Sequence, residues 1–171
     1  MSSDACTVSS TFTVKPDLTI PEILEALQPF LDAHDIDLTE FANAATNADE
    51  SNRIELENGQ MHLCLQCWCA GQDFEPEAID ELVEGLGALA LTHGALEIFN
   101  QDTPADAEST VMTRFFGQNE NECAIAHVTY GFEKIRSFIE PVLGADVFTE
   151  IASLALARLS AAQAQKQMQP R

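Results

Sequence analysis

Positive charge is what this sequence has least of. Between Pro16 and Thr113 the one basic residue is Arg53, while the same span holds 21 acids, from Asp17 to Glu108. The whole chain carries 28 acidic residues against 8 lysines and arginines, a formal net charge of −20. A magnitude of about 2–8 is comfortable for a small domain. Grip on nucleic-acid phosphates needs clustered Lys and Arg, so direct nucleic-acid binding is disfavoured. An anionic membrane surface is disfavoured for the same reason.

Long apolar runs are also missing. No stretch approaches eighteen consecutive apolar residues, so no membrane-spanning helix is expected. The opening MSSDACTVSS has neither the basic nor the apolar region of a secretory signal. Five cysteines make an odd number with no visible disulfide framework, which fits reduced thiols and a cytoplasmic location. A Walker loop, a dinucleotide fingerprint, HExxH and GxSxG are all absent, so neither a cofactor nor a catalytic role is expected. What is present suffices for an ordinary core: 46% hydrophobic residues in a chain of 171, the size of a single domain.

The pattern of those apolar residues predicts an α+β fold. SSTFTVK, residues 9–15, alternates as a strand. Thr19 followed by Glu22 forms a capping-box signature. It opens a helix with Ile20, Ile23, Leu24, Leu27 and Leu31 on one stripe, kinked or ended at Pro29. Residues 35–51 read as a long loop with a short helix near 39–45. Asn58-Gly59 is the strongest two-residue hairpin signal. It pairs Glu57 with Gln60, Leu56 with Met61, Glu55 with His62, Ile54 with Leu63 and Arg53 with Cys64. This register sorts Ile54, Leu56, Met61, Leu63, Leu65, Cys67 and Cys69 to one face. Glu55, Glu57, Gln60, His62, Cys64, Gln66 and Trp68 fall on the other.

A second helix follows Pro76, with Ile79, Leu82, Val83, Leu86 and Leu89 as its stripe, His93 at its end and Gly94 as its cap. Residues 95–101 form a further strand. Thr110 to Gly117 and Cys123 to Tyr130 read as two more strands joined across QNENE, and two helices complete the chain. The expected architecture is one domain: a ferredoxin-like βαββαβ core over residues 9–101, with a C-terminal extension of two strands and two helices over 109–165.

"MHLCLQCWCA", residues 61–70, holds three of the five cysteines. Cys64 and Cys67 have CxxC spacing, but residues three apart on a strand face opposite ways. With no second pair of ligands elsewhere, no metal is expected, and Cys67 and Cys69 read as small core residues. DAHDID gathers Asp32, His34, Asp35 and Asp37, but lacks the glycine and distal glutamate of a calcium loop. His62 and Cys64 share the open face with Glu55, the residue types of a thiol nucleophile with its base and orienter. No oxyanion loop or nucleophile elbow accompanies them. An enzyme or small-ligand binder using His62, Cys64 and Glu55 is therefore the alternative reading.

The leading one rests on charge. Glu77, Asp80, Glu81 and Glu84 form a carboxylate column on the second helix, and Glu22 and Glu25 begin another on the first. With Glu55, Glu57 and Trp68 they are the candidate surface for a basic protein partner. A DNA-mimic inhibitor of a nucleic-acid-processing system is one form of that reading, and simple solubility is the bland competitor. A homodimer is a further expectation. Phe148, Ile151, Ala155 and Leu159 make a stripe on the last helix, and Trp68 needs cover from the C-terminal elements or a second subunit.

Overall fold

The computed structural model describes residues 4–34, 36, 53–69, 76–100 and 111–168. The expected helix near 39–45, Asp35 and Asp37, the side chains of Cys67, Trp68 and Cys69, and the tail 169–171 lie outside the described residues. Nine elements follow in order: β1 (Asp4–Thr13), α1 (Ile20–Ala33), β2 (Arg53–Glu57), β3 (Gln60–Cys69), α2 (Pro76–Leu89), β4 (His93–Asn100), β5 (Val111–Gly117), α3 (Glu120–Leu143) and α4 (Ala145–Met168). The fold is α+β. Its strands form a five-stranded sheet in the order β2-β3-β1-β4-β5, antiparallel at every step.

β1 occupies the middle of the sheet. It pairs along its whole length with β3 and over Cys6–Ser10 with β4. Alternation sends Cys6, Val8, Ser10 and Phe12 inward, all buried, and leaves Thr7, Ser9, Thr11 and Thr13 on the opposite face. Ser10, the buried polar residue of the strand, donates its hydroxyl to the Ala95 carbonyl at 2.8 Å. The β2–β3 hairpin has the register expected from its turn. Asn58 and Gly59 both take positive φ, 52° and 78°, as a type I′ turn requires.

Helices α1 and α2 lie side by side on one face of the sheet. The α1 N-terminus is closed as its sequence suggests: the Glu22 carboxylate accepts from the Thr19 N–H at 2.8 Å and from its hydroxyl at 2.7 Å. The helix continues through Pro29 to Ala33 rather than ending there. Ile23, Leu27, Phe30 and Leu31 of α1 meet Ile79, Leu82, Leu86 and Leu89 of α2 over Met61, Leu63, Leu65, Leu96 and Ile98 of the sheet. The two helices approach backbone to backbone. A Cβ placed on Gly85 would come 2.1 Å from the Ala26 carbonyl oxygen, so only glycine permits this approach.

Three expectations are corrected here. First, residues 123–130 are helical. Asn119 caps α3 by accepting from the Glu122 N–H at 3.1 Å, and the helix runs on to Leu143, so the extension is one strand and two helices. Second, His93 and Gly94 do not end α2; they open β4. At the end of α2 the cation is Lys15, which donates to the Ala88 carbonyl at 2.7 Å. Gly94 instead makes room for the Phe116 ring, which a Cβ there would strike at 2.4 Å, and which packs edge-on against Phe12. Third, the sheet face away from α1 and α2 is not wholly open. α3 covers its β4–β5 end, with His127 stacked on Phe115 at 4.5 Å between ring centres. α4 folds back on α3 after Gly144 and packs on no other element among the described residues. No helix among them is long and apolar enough to cross a membrane.

Candidate functional site

Two surfaces hold the residues with the strongest claim to function. The first is the part of the sheet face that α3 leaves uncovered. Strand register sets its rows. Arg53, Cys64, Ser9, Glu97 and Thr113 run across all five strands, and Glu55, His62 and Thr11 form the row beside them. Neighbours across a strand pair have Cβ atoms about 5 Å apart, so each row is a line of adjacent side chains.

At one end of the first row, β2 and β3 present the residues suggested as a nucleophile, base and orienter. Their partners differ from that scheme. The Glu55 Oε1 pairs with Arg53 Nη2 at 2.6 Å, and His62 Nδ1 is hydrogen-bonded to Thr11 Oγ1 at 3.1 Å. Among the described residues no hydrogen bond joins His62 to Cys64 or to Glu55. The Arg53–Glu55 pair sits on the outermost strand and is exposed, so it adds little stability. Its charges, with Glu57, blunt a sheet edge that would otherwise invite strand pairing. Trp68 pairs through its backbone with Ala5, and its side chain is outside the described residues.

At the other end of the row sits a cluster that reading Cys123–Tyr130 as a strand concealed. Glu97 on β4 accepts from the Tyr130 hydroxyl at 2.6 Å and from Lys134 Nζ at 2.5 Å, both on α3. Thr113 on β5 donates to the Tyr130 oxygen at 3.3 Å, and the Lys134 ammonium lies 4.9 Å from the centre of the Tyr130 ring. Burial alone would push the Glu97 carboxyl up. The hydrogen bonds from Lys134 and Tyr130 and the Lys134 charge outweigh it and hold the group below its ordinary value. Lys134 is raised in turn, chiefly by its bond to Glu97. Tyr130 and Lys134 are four apart, so α3 sets them one turn apart on the same face. A similar tie, His93 Nδ1 to Glu122 Oε2 at 3.1 Å, fixes the start of α3 to the start of β4. These contacts clamp α3 to the sheet, and every group in the Glu97 cluster has a partner within the protein. Among the described residues no three His, Cys, Asp or Glu side chains gather as a metal site would require.

The second surface is the outer layer formed by α1 and α2. Glu22 and Glu25 on α1, and Glu77, Asp80, Glu81 and Glu84 on α2, are all exposed. The apolar stripes of both helices face the sheet, so their acidic faces point away from it on the same side of the molecule. None of the six is in an ion pair among the described residues. Four of the chain's eight cations are engaged elsewhere: Lys15 on the α2 carboxyl end, Arg53 on Glu55, Lys134 on Glu97 and Arg136 near Glu140. No family model, no curated protein and no solved structure matches this chain.

Proposed function

We propose that this is a non-catalytic acidic interaction protein whose α1–α2 outer layer receives a basic protein partner. The observation that carries the reading is the layer of six exposed carboxylates, none of them paired to a cation among the described residues. Like charges at i, i+3 and i+4 along α2 repel, so this arrangement costs stability that a neutral face would not. A cationic partner would relieve that repulsion, and the field of a −20 chain would steer it in at long range. A DNA-mimic inhibitor is the narrower form of this reading. Duplex DNA carries a charge about every 1.7 Å. One helical column carries one only every ~6 Å, so mimicry draws on α1 and α2 together, with Glu55 and Glu57 as outliers at the far edge.

We also propose that β1 to β4 with α1 and α2 are a ferredoxin-like core to which β5, α3 and α4 are appended. The order β2-β3-β1-β4 and the seating of both crossover helices on one face support this.

Capture of partners from the native lysate at low and at high salt tests the functional reading. The expected partner is basic and is released as salt rises, since screening shortens the reach of these charges to about 8 Å at physiological ionic strength. Reversing Glu77, Glu81 and Glu84 to Lys abolishes its capture. A neutral or acidic partner, or capture unchanged by salt, overturns the proposal.

A further inference from the structure

We infer that the α3–α4 hairpin is a homodimerisation surface, closing into a four-helix bundle with the same hairpin of a second copy. The inference is independent of the acidic layer and starts from exposure. Phe138 and Val142 on α3 are 76% and 79% exposed, values far outside the range of a satisfied apolar side chain. Ile135 on α3 and Val147, Ile151 and Leu154 on α4 are exposed as well.

Their spacing is regular. Ile135, Phe138 and Val142 fall at i, i+3 and i+7, and Val147, Ile151 and Leu154 at i, i+4 and i+7. These are the alternating three- and four-residue steps of a coiled-coil seam. The seams are distinct from the contact between α3 and α4. That contact uses Phe148, 2% exposed, which meets Phe132 edge-on at 5.8 Å and carries Arg136 over its ring, with Ala155 and Leu159 half-buried further along. The stripe expected from sequence to bind a second subunit is therefore mostly spent inside the chain. Only Ile151 lies outside it, and it belongs to the second stripe.

At about 100° per residue, each seam lies roughly a quarter-turn from the α3–α4 contact on its own helix. The rotation has the same sense on both. Because α4 runs back along α3, equal rotations bring the two seams to the same broad side of the hairpin. An α4 that is apolar on two sides is built to be covered on two sides, and α3 covers one.

Charge and area identify the occupant. Residues 131–168 contain four acids (Glu133, Glu140, Asp146, Glu150) and four bases (Lys134, Arg136, Arg158, Lys166), in a chain of net charge −20. This is a neutral part of a strongly acidic molecule, and so a place where an identical copy approaches without charge repulsion. With acids and bases in balance this segment has no net charge to draw a basic partner, and an anionic lipid surface would repel the rest of the chain. The six seam side chains expose on the order of 600 Å², most of the roughly 800 Å² that each partner of a standard interface buries. Such a patch stands at the upper end of what monomers leave in water.

Sedimentation velocity of the full chain from about 1 to 100 µM, at about 0.15 M salt, tests this. The expected mass is twice 18.7 kDa at the upper end of that range. Phe138→Glu with Val142→Glu, both at exposed sites, should leave far-UV circular dichroism unchanged and weaken association at least a hundredfold. Ile151→Asp with Leu154→Asp is the matching change on α4. Should a variant misfold, amide exchange of the unaltered chain at low and high concentration gives the same answer, with slowing confined to 135–154 in the dimer. A mass of 18.7 kDa throughout, a dimer indifferent to both double variants, or a monomer that floats with phospholipid vesicles overturns the inference.

Discussion

The molecule has two helical layers, and they treat their outer surfaces in opposite ways. α1 and α2 press a broad apolar stripe onto the sheet, approach each other so closely that only Gly85 fits, and show water a face of unpaired carboxylates. α3 touches the sheet through aromatic stacking and a few polar ties, α4 touches only α3 among the described residues, and their outer side is apolar and uncharged on balance. The first layer has finished its burial, and what remains outside is electrostatic. The second still has apolar surface to cover. The difference teaches that stability and association are assigned to different layers, and four changes test that assignment.

The largest effect belongs to the first layer. Leu82 is fully buried between α1, α2 and the sheet, and Leu82→Ala is expected to cost about 2–5 kcal/mol through lost burial and the cavity left behind. Leu154→Ala removes the same atoms from the exposed face of α4 and should cost the monomer no more than about 0.5 kcal/mol. Urea unfolding at low protein concentration compares the two. Equal losses would erase the distinction between the layers.

Gly85→Ala comes next. Alanine favours a helix over glycine by about 1 kcal/mol. Here the added methyl meets a backbone oxygen that cannot turn aside, and α1 and α2 must separate. The expected net result is destabilisation by about 1–3 kcal/mol. A gain in urea midpoint would mean that the α1–α2 contact is looser than described.

The clamp on the second layer titrates. Glu97 is held below its ordinary value of 4.5, so its contribution is complete above that pH and is lost as pH falls through its lower folded value. Lys134 is raised above 10.5, so its contribution is complete below that pH and is lost as pH rises through its higher folded value. Glu97→Gln is expected to lower stability at neutral pH by about 1 kcal/mol and to flatten the acid side of the profile. An acid limb as steep as that of the unaltered protein would show that Glu97 does not anchor α3.

The smallest effect sharpens the electrostatic side. Glu81→Lys places a cation beside Glu77 and Glu84 and should raise stability by a few tenths of a kcal/mol. Added salt should raise the melting temperature of the unaltered protein and do less for this variant. Salt-independent melting would show that the carboxylate layer does not repel itself.

What the sequence disclosed follows the same division. The β2–β3 register was readable residue by residue, because Asn58-Gly59 sets the turn and one slip would turn Met61, Leu63 and Leu65 to water. The stripes of α1 and α2 were readable in the main because helices on one sheet face are apolar at one period, but Ile20, expected in the α1 stripe, is 52% exposed, and Phe30, left out of it, is buried. Cys123 to Tyr130 misled because CAIAHVTY alternates by chance over a few residues. The deciding signal was local: Asn119 three residues before Glu122 is a helix start, and Cys123, Ala126, His127 and Tyr130 repeat at helical spacing. With that element misread, the Glu97–Tyr130–Lys134 cluster was out of reach, since it exists only when α3 is a helix lying over β4. His93 and Gly94 misled for a related reason. Glycine after an apolar stripe marks a helix end, but it also marks a strand position where an aromatic ring must lie flat, and only the pairing with Phe116 distinguishes them.

The central place of β1 has a consequence for synthesis. A ribosome makes this strand before either of its neighbours, and Val8 cannot meet Ile98 until residues up to β4 have been added. At roughly 5–20 residues per second, the interval is several seconds. Until β3 has been made both edges of the strand are unpaired, and one edge stays so until β4 follows, the condition in which nascent chains recruit chaperones. Removing the wait, by circular permutation that links the end of α4 to β1 and opens the chain ahead of β2, so that β1 is made after β3 and β4, should raise the soluble yield of newly made protein while leaving the finished sheet the same.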